Sequence, residues 1–136
     1  MKLHHIGIAA ENMEDMISYV QNMFPVKEFS DRVFDEKQNG ELCMLTLEDG
    51  SRIELISGPV VAGRVKKRQF LYHTCYETKK LEETIEAFLK KGAVLISEPK
   101  EAVLFQMRRV AFLMTDLGIV ELLEEHSGNS NDKMGE

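Results

Sequence analysis

Apolar residues along the chain follow two different periods, and the order of the two periods repeats. Alternating apolar residues predict β-strands at Leu3–Ala9 and Phe70–Glu77. After each strand, apolar residues three or four positions apart predict helices at about Asn12–Met23 and Lys80–Lys91. A shift of 68 residues superimposes the two helical patterns, so the second half of the chain repeats the first.

Three further strand candidates follow each predicted helix. The last two in each half are separated by turn residues, Asp49-Gly50 in one case and Asp116 with Gly118 in the other. The candidates are Val26–Phe34, Glu41–Leu47 and Arg52–Ser57 in the first half, and Val94–Ser97, Met107–Thr115 and Ile119–Glu124 in the second.

The order of these elements predicts an α+β protein of two βαβββ modules, residues 2–58 and 69–125, joined by a linker at 59–68. One helix covers only one face of a four-stranded sheet. We therefore expect the helices outside and a shared open, cup-shaped mixed sheet within. The polar stretch 126–136 is predicted to be a disordered tail.

Composition narrows the class of protein. The chain has 136 residues, 43% of them hydrophobic, which is enough for a real core. Its net charge of −6 argues against nucleic-acid binding. No apolar run predicts a signal region or a membrane span, and the two cysteines form no disulfide framework, so we expect a cytoplasmic protein without a membrane partner.

A histidine and a glutamate recur at nearly the same spacing in both halves. His5 precedes Glu54 by 49 residues, and His73 precedes Glu121 by 48. Two imidazoles and two carboxylates suit a divalent ion such as Zn, Co, Ni or Mn. Alternation within the first strand turns His5 towards the concave side, whereas it leaves the direction of the two carboxylates open.

Four segments together resemble the vicinal oxygen chelate superfamily, the glyoxalase fold, and most of all its methylmalonyl-CoA epimerase-like branch. They are His5-Ile-Gly-Ile-Ala, Ile-Glu54-Leu-Ile, Tyr-His73-Thr-Cys-Tyr and Val-Glu121-Leu-Leu-Glu. The resemblance implies one divalent ion bound by His5, Glu54, His73 and Glu121, and a homodimer. Some epimerases carry a glutamate base at the position that corresponds to Cys43.

The expected chemistry is abstraction of a proton α to the carbonyl of an acyl thioester, with the metal stabilising the enolate. Glu121 or Glu54 would act as the catalytic base. Alignment of Asp116 with Asp49 sets a strand register that points Arg109 into the cup, where it would bind a substrate carboxylate, and Val110 towards the helix. The basic run from Arg64 to Arg68 is either a solvated linker face or a site for the phosphates of an acyl-CoA substrate.

Two other functions remain open. Glutamate at position 54 is closer to the pattern of lactoylglutathione lyase (glyoxalase I), which isomerises a hemithioacetal. A non-catalytic small-molecule binding or resistance protein of the same fold is the third hypothesis, although such relatives often lose the metal ligands.

Overall fold

The computed structural model describes residues 1–126, and the expected tail from residue 127 onward lies outside them. The backbone divides into two compact units. The first unit is His5–His73; the second unit joins Met1–His4 to the chain from Thr74 onward. The boundaries therefore fall inside the first strand of each repeat, and not in the linker between the predicted modules.

The first unit carries one copy of the repeat. The elements are β1 (Lys2–Ala10), α1 (Met13–Met23), β2 (Val26–Phe29), β3 (Val33–Asp35), β4 (Gly40–Leu47), β5 (Arg52–Ser57), a 3₁₀ turn (Pro59–Val61) and α2 (Ala62–Lys66). The central strand β5 pairs in parallel with β1 and antiparallel with β4, and β4 also pairs antiparallel with β2 and β3.

The second unit carries the other copy. The elements are β6 (Leu71–Thr78), α3 (Leu81–Lys90), β7 (Val94–Glu101), a 3₁₀ turn (Val103–Phe105), β8 (Arg109–Thr115) and β9 (Gly118–Glu124). Strand β9 pairs in parallel with β6 and antiparallel with β8, and β8 pairs antiparallel with β7. The predicted α+β fold of two βαβββ repeats is confirmed.

Each long helix packs on its own sheet through the predicted apolar positions. In the first unit, Met13 and Val20 of α1 contact a cluster that includes Cys43 and Leu55. Helix α1 begins where Asn12 caps it, its side-chain oxygen accepting from the Asp15 amide at 2.9 Å. In the second unit the cluster consists of Leu81, Ile85, Ala111, Leu113, Val120 and Leu122.

The structure departs from the predicted elements mainly in two places. The expected linker is folded, since it contains the 3₁₀ turn and α2. The single strand expected at Val26–Phe34 is broken into β2 and β3. None of the helices within residues 1–126 is long and apolar enough to span a membrane.

Candidate metal centre

Three of the predicted ligands lie in the first unit, on the sheet face that α1 does not cover. In the parallel ladder Glu54 is the partner of Gly7, which shares a face of β1 with His5. The next residue, Leu55, packs on α1 from the other face. The structure thus settles the direction of the Glu54 carboxylate, which strand alternation alone left open.

The three side chains converge on one point. His5 Nε2 lies 3.3 Å from His73 Nε2, and Glu54 Oε1 lies 3.3 Å from each of these nitrogens. All three residues are nearly excluded from solvent, with 1%, 3% and 2% of the surface of His5, Glu54 and His73 exposed. A buried carboxylate and two buried imidazole nitrogens therefore form a compact triangle.

Gly7 makes room for one corner of this triangle. A Cβ atom built on Gly7 would lie 2.4 Å from His73 Cε1 and 2.6 Å from both ring nitrogens. No side chain fits in that space, so the imidazole of His73 packs directly over the backbone of β1. Glycine is needed at position 7 because a side chain has no space there. The backbone conformation does not require it, since the φ of Gly7 lies outside the left-handed region.

The triangle fits a divalent ion. Metal–ligand distances of about 2.0–2.2 Å to nitrogen and carboxylate oxygen imply donor–donor separations of about 3.0 Å in an octahedron and about 3.4 Å in a tetrahedron. The observed separations of 3.3 Å lie between these two values. The donor set also matches the chemistry of Zn²⁺ and its first-row neighbours.

The fourth predicted ligand, Glu121, lies in the second unit on β9. Only 1% of its surface is exposed. Its ladder partners are Cys75 on β6 and Phe112 on β8, so these three side chains share one face of their sheet. That face is opposite the one on which Leu122 packs against α3.

Arg109 does not lie on that face, and the prediction that it points away from the helix is wrong. Its guanidinium forks onto Glu124, with Nη2 donating to Oε2 at 2.7 Å, and it donates to Glu82 of α3 at 2.6 Å. The hydrogen bonds from Arg109 lower the pKa of both carboxyls, and the two acids raise the pKa of Arg109. Arg109 is therefore part of a salt bridge between sheet and helix.

A one-residue difference between the two hairpins explains the error. Thr115 faces Gly118 across a two-residue turn, whereas Leu47 is hydrogen-bonded to Ser51 across a three-residue turn. The register counted back from the turn was therefore wrong by one residue in β8, and such a slip moves every side chain to the opposite face. Hence Ala111, and not Val110 as predicted, packs on the helix.

Arg108 is the arginine that shares a face with Val110 and Phe112. Its side chain is 9% exposed and pairs at 3.0 Å with Glu77, whose side chain is 15% exposed. Arg108 lines a cleft at the end of β6 and β9, beside Gln106 and Met107. The sequence alone does not show which of the two adjacent arginines faces the helix, because only the length of the turn decides it.

The position of Cys43 also bears on the chemistry. Cys43 packs against Met13 and Leu45 beneath α1, and burial raises the pKa of its thiol. Its side chain is on the opposite face of the sheet from Glu54, which is the ladder partner of Met44. A base at position 43 is therefore excluded by direction as well as by residue type.

The basic run lies on α2 and the turn that follows it. The Arg64 guanidinium carbon is 5.2 Å from the centre of the Tyr72 ring, and that ring is 4.9 Å from the ring of His73. The Arg68 guanidinium lies over Phe70 at 5.5 Å. These cation–π contacts hold two of the four basic side chains of the run against aromatic residues that lie in β6 or just before it, close to His73.

Residues 4–112 match the family model described as Glyoxalase/Bleomycin resistance protein/Dioxygenase superfamily. None of the curated protein sequences matches significantly.

Several solved structures are similar to this chain. A hypothetical protein from Bacillus halodurans C-125 is 26% identical, with 96% of this chain and 98% of that chain covered and a TM-score of 0.72. Methylmalonyl-CoA epimerase from Mycobacterium tuberculosis is 17% identical over 90% and 87% of the chains, with a TM-score of 0.77. The Streptomyces coelicolor epimerase (S115T) in complex with 2-nitronate-propionyl-CoA is 19% identical over 96% and 98%, with a TM-score of 0.71. At 17% and 19% identity, the two epimerases show a shared fold.

Proposed function

Because the chain belongs to the glyoxalase/bleomycin resistance protein/dioxygenase superfamily, we propose that it is a metal-dependent enzyme that removes a proton α to the carbonyl of an acyl thioester, as in methylmalonyl-CoA epimerisation. The observation that carries the proposal is the buried triangle of His5, Glu54 and His73, with its three donor separations of 3.3 Å. Its shape and donor chemistry suit a divalent ion.

We assign His5, Glu54, His73 and Glu121 as the four ligands, with Zn, Co, Ni or Mn as candidate ions. The repeat supports Glu121, because it occupies in the second unit the position that Glu54 occupies in the first. A bound ion would supply Lewis-acid stabilisation of the enolate oxygen that forms when the α proton leaves.

The chain's own residues hold the substrate and move the proton. Glu54 and Glu121 are the candidate bases, since both carboxylates are buried in the sheet faces that the helices leave uncovered. With position 43 directed under α1, the base must come from elsewhere in the site. Burial around both acids excludes the bulk water that would otherwise protonate the carbanion.

The test couples metal content to exchange at the α carbon. Untagged protein purified without chelator should contain about one divalent ion per chain, and that ion should be needed for solvent deuterium to enter methylmalonyl-CoA or a related acyl-CoA. Glu54→Ala should lose metal and exchange, whereas the exposed Glu28→Ala on β2 is the matched control. Exchange at equal rates in protein stripped of metal would refute the proposal.

One observation favours a second function. Glu54, a carboxylate where the epimerase-like branch often has glutamine, fits lactoylglutathione lyase-like isomerisation of the methylglyoxal–glutathione hemithioacetal. Metal-dependent turnover of that compound, with no exchange into any acyl-CoA, would select it. A ligand that stabilises the protein with neither metal nor turnover would instead indicate a binding or resistance protein.

A further inference from the structure

The surface formed by α2 and its C-terminal turn holds positive charge that no ion pair within the described residues neutralises. Arg64, Lys66, Lys67 and Arg68 form no ion pair with any carboxylate among residues 1–126. By contrast, Arg32, Arg108 and Arg109 each pair with one or two glutamates. A cluster of four cations without acidic partners stands out in a protein of net charge −6.

The backbone at Arg68 points to a role for its charge. The Gln69 amide donates to the Arg64 carbonyl at 2.9 Å and the Arg68 amide donates to the Val65 carbonyl at 3.0 Å, which is the Schellman pattern at a helix end. The residue at the centre of that motif is usually glycine, because it must be left-handed. Here it is Arg68, with φ of 58°. A role for the Arg68 guanidinium in binding a ligand would explain why this position carries a charged side chain and not glycine.

The surface begins close to the metal-centre triangle. The Arg64 guanidinium carbon lies 5.2 Å from the Tyr72 ring, and that ring lies 4.9 Å from the His73 ring, so Arg64 is at most about 10 Å from a proposed ligand. All of these residues belong to the first unit. A ligand whose reacting carbon is at the triangle therefore has a cationic surface within reach of its other end.

We propose that Arg64, Lys66, Lys67 and Arg68 form a binding surface for the phosphate-bearing end of the substrate. Phosphate groups fit because they are multiply charged, and both guanidinium and ammonium groups donate hydrogen bonds to them. The proposal rests on the proposed function, and it selects a phosphorylated carrier such as coenzyme A over a carrier that bears only carboxylates.

Binding of coenzyme A and of pantetheine to the metal-free protein tests the surface separately from catalysis. Lys67→Gln and Arg68→Gly should each weaken coenzyme A binding about fivefold or more, because each removes a charge-assisted contact. Binding of pantetheine, which has no phosphate, should not change. The exposed Lys27→Gln on β2 is the control for a general change in net charge.

Arg68→Gly also separates a binding role from a structural one. Glycine relieves the left-handed conformation, so this variant should melt at a higher temperature than the parent while it binds coenzyme A more weakly. Arg68→Gln should bind as weakly without the gain in stability. Unchanged coenzyme A affinity in these variants, or an equal loss for pantetheine, would overturn the proposed surface.

The two proposals fail in different ways. Phosphate-dependent binding of coenzyme A without metal-dependent exchange would refute the enzymatic function and leave the surface standing. Metal-dependent exchange at an unchanged KM in Lys67→Gln and Arg68→Gly would support the function and refute the surface.

Discussion

Replacing Gly7 with alanine should damage the metal centre without removing any ligand. The added Cβ would lie 2.4 Å from His73 Cε1 and 2.6 Å from both ring nitrogens. Carbon–carbon and carbon–nitrogen contacts need about 3.4 Å or more, so the ring must move by about 1 Å. That displacement is about half of a metal–nitrogen bond of roughly 2.1 Å.

The cost has two parts that can be measured separately. Overpacking a well-packed site costs about 1–3 kcal/mol of folding free energy. Loss of ligand orientation typically costs about 10–100-fold in metal affinity. We therefore expect Gly7→Ala to lower both the unfolding free energy of the metal-free protein and its affinity for Zn²⁺, measured by chelator competition. Absorption of the Co²⁺-substituted protein would report the altered ligand geometry.

Two further variants show whether the His73 ring is the cause. Gly63→Ala is the matched control for Zn²⁺ affinity, because a Cβ there meets nothing within 4 Å; in α2 it should stabilise the fold by up to about 1 kcal/mol. In a His73→Ala background the ring is absent, so Gly7→Ala should have almost no further effect on stability. If Gly7→Ala kept full Zn²⁺ affinity and an unchanged Co²⁺ spectrum, the reasoning from ring packing would be refuted.

Three other predictions concern two ion pairs and the binding of metal. Glu77→Gln, which removes the negative charge 3.0 Å from the largely buried Arg108 guanidinium, should cost about 1–3 kcal/mol in chemical denaturation, and an unchanged unfolding free energy would contradict this reasoning. The folded pKa of Glu124 is lowered, first by hydrogen bonds from Arg109, so this stabilisation should be full above the ordinary carboxyl pKa of 4.5 and be lost as pH falls through the lower folded value. Unfolding free energies measured across that range should show this loss in the parent and a smaller one in Glu124→Gln. Zn²⁺ at about 100 times its Kd should stabilise the parent by about 2.7 kcal/mol and His5→Ala far less, as measured by thermal unfolding.

The fold could be predicted because each element has a strong local pattern. The positions of α1 and α3 followed from apolar residues at helical spacing, and Asn12 and Pro25 limit α1 chemically. The repeated His and Glu predicted the candidate ligands, whereas the parallel register that sets Gly7 opposite Glu54 and directs its carboxylate was visible only in the structure. Short-range periodicity and a duplicated sequence carry this information directly.

The errors concern features that depend on tertiary contacts. Arg109 was placed on the wrong face because a one-residue change in turn length has no signature in the strand itself. The folded linker was missed because α2 has only five residues, too few to show a helical period. The close approach of His73 to Gly7 was not visible either, because it joins residues 66 positions apart.

The shorter second turn also shows how a duplicated chain can change length without losing its chemistry. The spacing from His to Glu is 49 residues in one half and 48 in the other, and the missing residue falls in the hairpin, where Leu117 is 86% exposed. A deletion inside β9 would have turned part of its side chains, on one side of the deletion, to the opposite face of the sheet. Because the length difference lies at the tip of the turn, the side chains of β9 keep their direction and Glu121 stays opposite Cys75. Insertions and deletions among relatives should therefore accumulate at this tip, and an epitope tag inserted beside Leu117 should leave metal binding intact.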